Sequence, residues 1–273
     1  MAQAATGQSE LLSYLPASMA TPLLYIDPTS EPCRSVHWLC VEAGLPMRMR
    51  ATWLGRGDHQ RAAFLKVNPR HQVPAMRHGD FCLSECQAIM RYMCELNEVL
   101  DRWFGGNLQE RARISMLLSW HHHAIRKTVM LDHNLPLYYI PFYIGEAKAP
   151  RPAGAERLRL RDNFKESLEQ LEAHLDGHLY LVGERLTAAD IVVAPDLTAM
   201  DVDTDALEAA ISPHPSVKRW LSNLRTLPSF QHSHRGFELA LPMMRQHLSD
   251  GASAPGDTSF MDKWVDSALD EGE

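Results

Sequence analysis

Between Leu23 and Trp53 the chain spells strand, helix and strand with almost no spare residues, and that order restricts the fold more than any other feature of its 273 residues. Leu23 to Ile26 read as a short buried strand. Pro28 and Pro32 bracket a loop, and Pro32 stands where a helix begins, because an N–H in the first turn has no helical partner to lose. Val36, Leu39, Cys40 and Ala43 recur at helical spacing up to Gly44, a natural stop, and Met47 to Trp53 form the next strand. A unit this tight implies a right-handed parallel crossover.

The following fifty residues extend the unit. A loop with Gly55, Gly57 and His59 leads to a short helix that Asn68-Pro69 terminates. Val73 to Met76 and Phe81 to Leu83 flank His78-Gly79-Asp80, a hairpin signal. Ser84 and Gln87 predict a capping box for a helix carrying Ala88, Ile89, Tyr92, Met93 and Leu96. The resulting order, β-α-β-α-β-β-α, is a thioredoxin-like arrangement.

Asp101 to Asn107 read as a linker, and strand patterns stop beyond it. Ile114, Leu117, Leu118, His121 and Ile125 mark one long helix; Asn134 to Pro152 read as a break rich in Pro and aromatics. Leu160, Phe164, Leu168, Leu171 and Leu175 mark a second helix from Glu156. Thr187 and Asp190 are spaced to cap a third, with Leu186 stapled onto Ile191. Val217 to Leu224, and Phe237 to Leu248, supply further helices. The organisation expected is an α/β domain over 22–100, an all-helical domain over 108–248, a flexible extension at 1–21 and a tail at 249–273.

Composition narrows the function. With 45% hydrophobic residues, 22% charged residues and a formal charge of −7, the chain has the make-up of a soluble globular protein and no general affinity for nucleic acid or anionic lipid. No apolar run is long enough for a bilayer span. Five cysteines, all in the first third and without a Cys-x-x-Cys pair, suit free thiols in a reducing, cytoplasmic setting. The first twenty residues contain no Lys or Arg, unlike a secretory or transit leader.

The chemistry centres on Ser30. Its position places a hydroxyl at a helix N-terminus, where unpaired N–H groups and peptide dipoles favour an anion, and a thiolate is one such anion. Ser30 also fits a plain helix cap, and Thr29 is the neighbouring hydroxyl held in reserve. The stretch Leu24-Tyr25-Ile26-Asp27, Ser30, Pro32-Cys33-Arg34 resembles the amino-terminal signature of the theta-class glutathione transferases and the dichloromethane dehalogenases related to them. Val67-Asn68-Pro69, Val73-Pro74-Ala75, Gly79-Asp80-Phe81, Leu83, Glu85, Trp120 and Arg126 continue the resemblance, which runs from about Leu23 to Trp264.

That resemblance implies a thioredoxin-like domain with a mixed four-stranded sheet, an all-helical substrate domain and a homodimer. It implies that Ser30 donates to the sulfur of glutathione, used as a cosubstrate, for attack on a small electrophile such as an alkyl halide or epoxide. Val73 before a cis Pro74 would meet the glutathione backbone, Glu85 and Cys86 its γ-glutamyl end, and His59 and Gln72 its glycine end. Arg126 would stand near the sulfur, and Trp264 in a tail covering the site as a lid. Cys86 departs from the family's serine; a thiol is the weaker donor. This departure favours a rival reading, a binding protein that keeps the fold without turnover. A redox role for Cys33 is the weakest rival, because position 30 offers no second thiol. His121-His122-His123 do not suit a metal, since successive helical residues point about 100° apart.

Overall fold

The computed structural model describes residues 21–144 and 153–250. Trp264 and the proposed tail and amino-terminal extension lie outside the described residues, apart from their first or last one or two positions. Four strands form one sheet in the order β2-β1-β3-β4, from β1 (Leu23–Ile26), β2 (Arg48–Ala51), β3 (Ala75–His78) and β4 (Phe81–Ser84). β1 and β2 run parallel, with Leu23 opposite Arg48, while β3 is antiparallel to both β1 and β4. The crossover between the parallel pair is α1 (Glu31–Glu42), which begins with Pro32 in its first turn. Short α2 (Ala62–Leu65) precedes β3, and α3 (Cys86–Leu96) and α4 (Leu100–Phe104) close the domain.

Three local expectations are corrected. Ser84 and Gln87 form no capping box: Glu85 is the N-cap of α3, the Ser84 hydroxyl accepts from Arg70, and Gln87 donates to the Leu118 carbonyl. Part of the expected linker is α4, and Asn107 then caps α5 (Leu108–His123) by accepting from the N–H groups of Gln109 and Glu110. The expected break after Asn134 is helical as far as Ile144: a wide-turned helix of π character, α6 (Arg126–Tyr139), runs into α7 (Ile140–Ile144). Pro136 cannot donate a helical bond, and the wider turn lets Ile140 N–H reach back five residues to the Leu135 carbonyl.

The remaining helices are α8 (Gly154–Leu175), α9 (Ala188–Thr198), α10 (Thr204–Ile211), α11 (Pro215–Arg225) and α12 (Pro228–Asp250). Every residue of α9 is buried, as expected of a helix apolar on all sides. At its start Asp190 accepts from the N–H groups of Thr187 and Leu181 and from the indole of Trp220. One apolar core runs through both domains, joining Leu24, Val36 and Met93 to Ile114, Leu168 and Ile191. α12 lies along α1, where the Trp38 indole donates to Ser229 and Phe230 packs edge-on against Trp38. The two domains are therefore fixed against each other at the helix that follows Ser30.

Candidate active site

At the junction of the domains opens a cleft of about 510 Å³. One wall comes from the loop before α1 and from the segment leading to α3; the other comes from α5, α6, α7 and α9. Ser30, His59, Gln72, Val73, Pro74, Glu85, Cys86 and Arg126 all line it, so the fold brings together every expected site residue among those described.

The loop before α1 is set by Asp27. Its buried carboxylate accepts from the Thr29 N–H (2.9 Å), the Thr29 hydroxyl (2.7 Å) and the Leu54 N–H (2.9 Å), which folds the chain back so that Ser30 starts the helix. Thr29 is fully buried, and its hydroxyl is shared between Asp27 and Tyr143. A Thr hydroxyl has one proton, which goes to the carboxylate, so Tyr143 donates to Thr29. The reserve candidate is thus committed to holding the loop. Ser30 differs: it is half-buried, it faces the cleft, and its side chain makes no cap bond to its own helix. Its hydroxyl contacts the buried thiol of Cys33.

Arg34, one turn into α1, holds this loop to the helical domain. It is 1% exposed, donates to the carbonyls of Thr29 (2.9 Å) and Pro195 (3.0 Å), and lies over the ring of Phe237 at 4.1 Å. Such bonds to a buried charge are among the stronger ones in proteins. The sequence reading quoted Arg34 only as part of a motif and assigned it no task.

The opposite end of the cleft carries the backbone features. The Val73–Pro74 peptide is cis, as the family resemblance implies. Glu85 adopts φ 74°, unusual for a residue with a side chain, and pairs with Arg70 at 2.8 Å while remaining more than half exposed. Cys86 opens α3. Burial pushes its thiol up to about 12, although Arg126 pulls the other way, so at neutral pH it is a protonated, weak donor. His59 is held low by burial and by His71.

Arg126 bridges the two walls of the cleft. Its Nη1 donates to Asp196 Oδ1 (2.7 Å) and Glu31 Oε2 (3.1 Å), and its side chain is 23% exposed. Asp196 also pairs with His121 Nε2, which explains the buried histidine on the apolar stripe of α5. Burial pushes the Asp196 carboxyl up, but Arg126 and His121 more than offset it and hold it below the carboxylate range. His122 instead faces Gln87. Sequence reasoning missed Glu31, Asp196, Tyr139 and Tyr143 as cleft residues. One signal was available for Asp196: it is the only charged residue besides the capping Asp190 in the otherwise apolar run of α9.

Comparison with known proteins agrees with this arrangement. Residues 24–100 match the sequence model of the glutathione S-transferase N-terminal domain, and residues 152–223 match that of the glutathione S-transferase C-terminal domain. Glutathione S-transferase theta-1 of Rattus norvegicus is 33% identical over 176 residues, covering 64% of this chain and 71% of the relative; the Homo sapiens theta-1 protein is 34% identical over the same shares. Human glutathione S-transferase T1-1 in its apo form superposes with a TM-score of 0.72 at 25% identity, over 92% of this chain and 100% of that one. A human theta-class structure in complex with the glutathione conjugate of 1-menaphthyl sulfate shares the fold, with a TM-score of 0.71 at 23% identity over 90% and 97% of the two chains. Domain matches at both ends of the chain, a theta relative sharing a third of the aligned residues, and the cis-proline cleft beneath Ser30 converge: the chain belongs to the theta class of the glutathione transferase family.

Proposed function

We propose that this protein transfers glutathione to small electrophiles, with Ser30 as the group that stabilises the reacting thiolate. The observation that carries the reading is the Ser30 hydroxyl: it stands at the N-terminus of α1, faces the cleft and is not used to cap its own helix. Free thiols ionise near pH 8.5, so most glutathione in solution is unreactive at neutral pH. A hydroxyl donating to a thiolate forms a charge-assisted bond of about 1.5–3 kcal/mol, which lowers the thiol pKa by about one to two units. The buried Cys33 thiol is a poor competitor for that proton because it is neutral.

Glutathione would extend along the cleft from Glu85 and Cys86 to His59 and Gln72. The N–H and C=O of Val73 would pair with its backbone as an added strand does, and the helix N-terminus at Cys86 would favour the γ-glutamyl carboxylate. Met130, Leu131, Leu135 and Val192 supply the apolar half of the cleft, next to the hydroxyls of Tyr139 and Tyr143. This suits a small alkyl halide or epoxide. The thiolate attacks carbon, a C–S bond forms, and the carbon–halogen or carbon–oxygen bond breaks; a halide departs to solvent, or an epoxide oxygen takes a proton from water. The family reading also implies a cytoplasmic homodimer, with Arg126 beside the sulfur.

A glutathione titration followed by thiolate absorbance tests the reading. A saturable signal at neutral pH that disappears in Ser30→Ala is expected, followed by halide release from small haloalkanes. Cys86 in place of serine supports the rival of a binding protein without turnover. Binding without thiolate absorbance, or no binding at millimolar glutathione, would give that rival the lead.

A further inference from the structure

We propose that Glu31 is a positioning residue that holds Arg126 at the cleft wall and, through its own charge, opposes ionisation of a thiol bound at Ser30. The inference rests on the transferase reading above and deepens it, by naming the group that limits how acidic the bound thiol becomes.

Glu31 directly follows Ser30, lines the same cleft and is 3% exposed. Its two carboxylate oxygens have different surroundings. Oε2 accepts from Arg126 at 3.1 Å, whereas Oε1 is buried and, among the described residues, lacks a hydrogen-bond partner at normal distance; the Tyr139 hydroxyl also interacts with this carboxylate. A carboxylate needs a strong reason to sit half-satisfied in such a place, because a buried charge is stable only when paired. The reason visible here is the guanidinium. Arg126 Nη1 lies between Glu31 of the α/β domain and Asp196 of the helical domain, with His121 behind Asp196. One cation thus bridges carboxylates from both walls, which fixes the guanidinium at the cleft.

Two carboxylates share the one guanidinium, with Arg34 the other cation near Glu31 and His121 beside Asp196, so the charge of Arg126 is already engaged at the cleft wall. The other charged or titratable groups facing Glu31 are Arg34 and Cys33 on α1, Tyr139 on α6 and Tyr143 on α7. Arg34 is turned towards the Thr29 and Pro195 carbonyls and the Phe237 ring. Burial, reinforced by the neighbouring Asp196 carboxylate, raises the Glu31 carboxyl by more than Arg126 and Arg34 lower it. A thiolate at Ser30 is a like charge beside this buried carboxylate, and like charges at short range disfavour each other's ionisation. Glu31 and the thiol therefore oppose each other's ionisation. The same residue that fixes Arg126 weakens the field that Arg126 and Ser30 exert on the sulfur.

The substitution Glu31→Gln separates the two effects. Gln keeps an oxygen that accepts from Arg126 and removes the charge. The test measures thiolate absorbance of the glutathione complex against pH in wild type, Glu31→Gln and Asp196→Asn, with thermal unfolding of each as the check on folding. The midpoint of thiolate formation is expected to fall by about one pH unit in Glu31→Gln, and by less in Asp196→Asn, whose carboxylate is not adjacent to Ser30. Glu31→Ala, which removes the clamp as well, is expected to raise KM for glutathione more than Glu31→Gln does. A wild-type complex without thiolate absorbance would sink the transferase reading itself. A normal wild-type signal with an unchanged or raised midpoint in folded Glu31→Gln overturns this inference alone. If Glu31→Gln does not fold, the Asp196→Asn midpoint decides: a fall supports the clamp as an opposing charge, and no change refutes it.

Discussion

Replacing Asp190 by alanine should destabilise the protein far more than the loss of an ordinary helix cap. A surface N-cap contributes on the order of 1 kcal/mol. Asp190 is different because it is fully buried and accepts four bonds: Oδ1 takes the Leu181 N–H (2.8 Å) and the Trp220 indole N–H (3.0 Å), and Oδ2 takes the Thr187 N–H (2.9 Å) and hydroxyl (3.0 Å). Alanine leaves three N–H donors in an apolar core; only the hydroxyl can rotate away. Each orphaned donor costs roughly 1–3 kcal/mol, so Asp190→Ala should cost about 3–9 kcal/mol, a large part of a typical domain's stability. Asp190→Asn separates cap from charge. Its carbonyl can serve Leu181 and Trp220, but its NH₂ then faces the Thr187 N–H, so about one donor is lost and the cost should be roughly 1–3 kcal/mol. Equilibrium urea unfolding followed by tryptophan fluorescence and by circular dichroism measures both. Alanine and asparagine variants of equal stability, or an alanine cost near 1 kcal/mol, would refute the argument from orphaned donors.

Two further outcomes are expected. His37 is buried beside His232 where α12 covers α1, and burial lowers it from the ordinary 6.5 to about 3. A folded pKa below the unfolded one means that the unfolded chain takes up the proton first; the contribution is full above pH 6.5 and shrinks as pH falls towards 3, by about 2 kcal/mol at pH 5 from this group. Wild type should therefore lose about that much stability relative to His37→Leu between pH 8 and pH 5; a stability difference that stays constant over the interval would contradict it. The second outcome concerns Cys86, whose thiol is pushed up to about 12. Cys86→Ser restores a hydroxyl donor at the start of α3, so KM for glutathione should fall several-fold with kcat little changed, whereas an equal or higher KM would mean that this position does not meet the γ-glutamyl end.

The elements that positioned Ser30 were legible because they are local. A proline at the start of α1 and an apolar strand before it express backbone preferences within a few residues, and those preferences survive in any packing that buries the strand. The same holds for Thr187 and Asp190, three residues apart. Local reading failed where tertiary partners overrode a local signal. Ser84 and Gln87 have capping spacing, yet Arg70 takes the hydroxyl and the α5 carbonyl takes the amide. Pro136 and its aromatic neighbours resemble a break, yet the aromatic side chains of α6 and α7 pack with Phe237 and Leu241 of α12, and that burial outweighs one missing helical bond.

By itself the sequence determined the thioredoxin-like order and the hydroxyl at the helix N-terminus, because each follows from residues in sequence contact; the cis peptide before Pro74 was legible through the family resemblance. Only the tertiary structure decided what Arg126 and Arg34 do. Arg126 meets Glu31 and Asp196 across 95 and 70 residues of chain, and Arg34 meets Pro195 across 161. No periodicity or spacing encodes such pairs. A buried charge takes whichever opposite charges or carbonyls the packed helices bring within reach, so the electrostatics of the cleft came into being only when the two domains closed on one core.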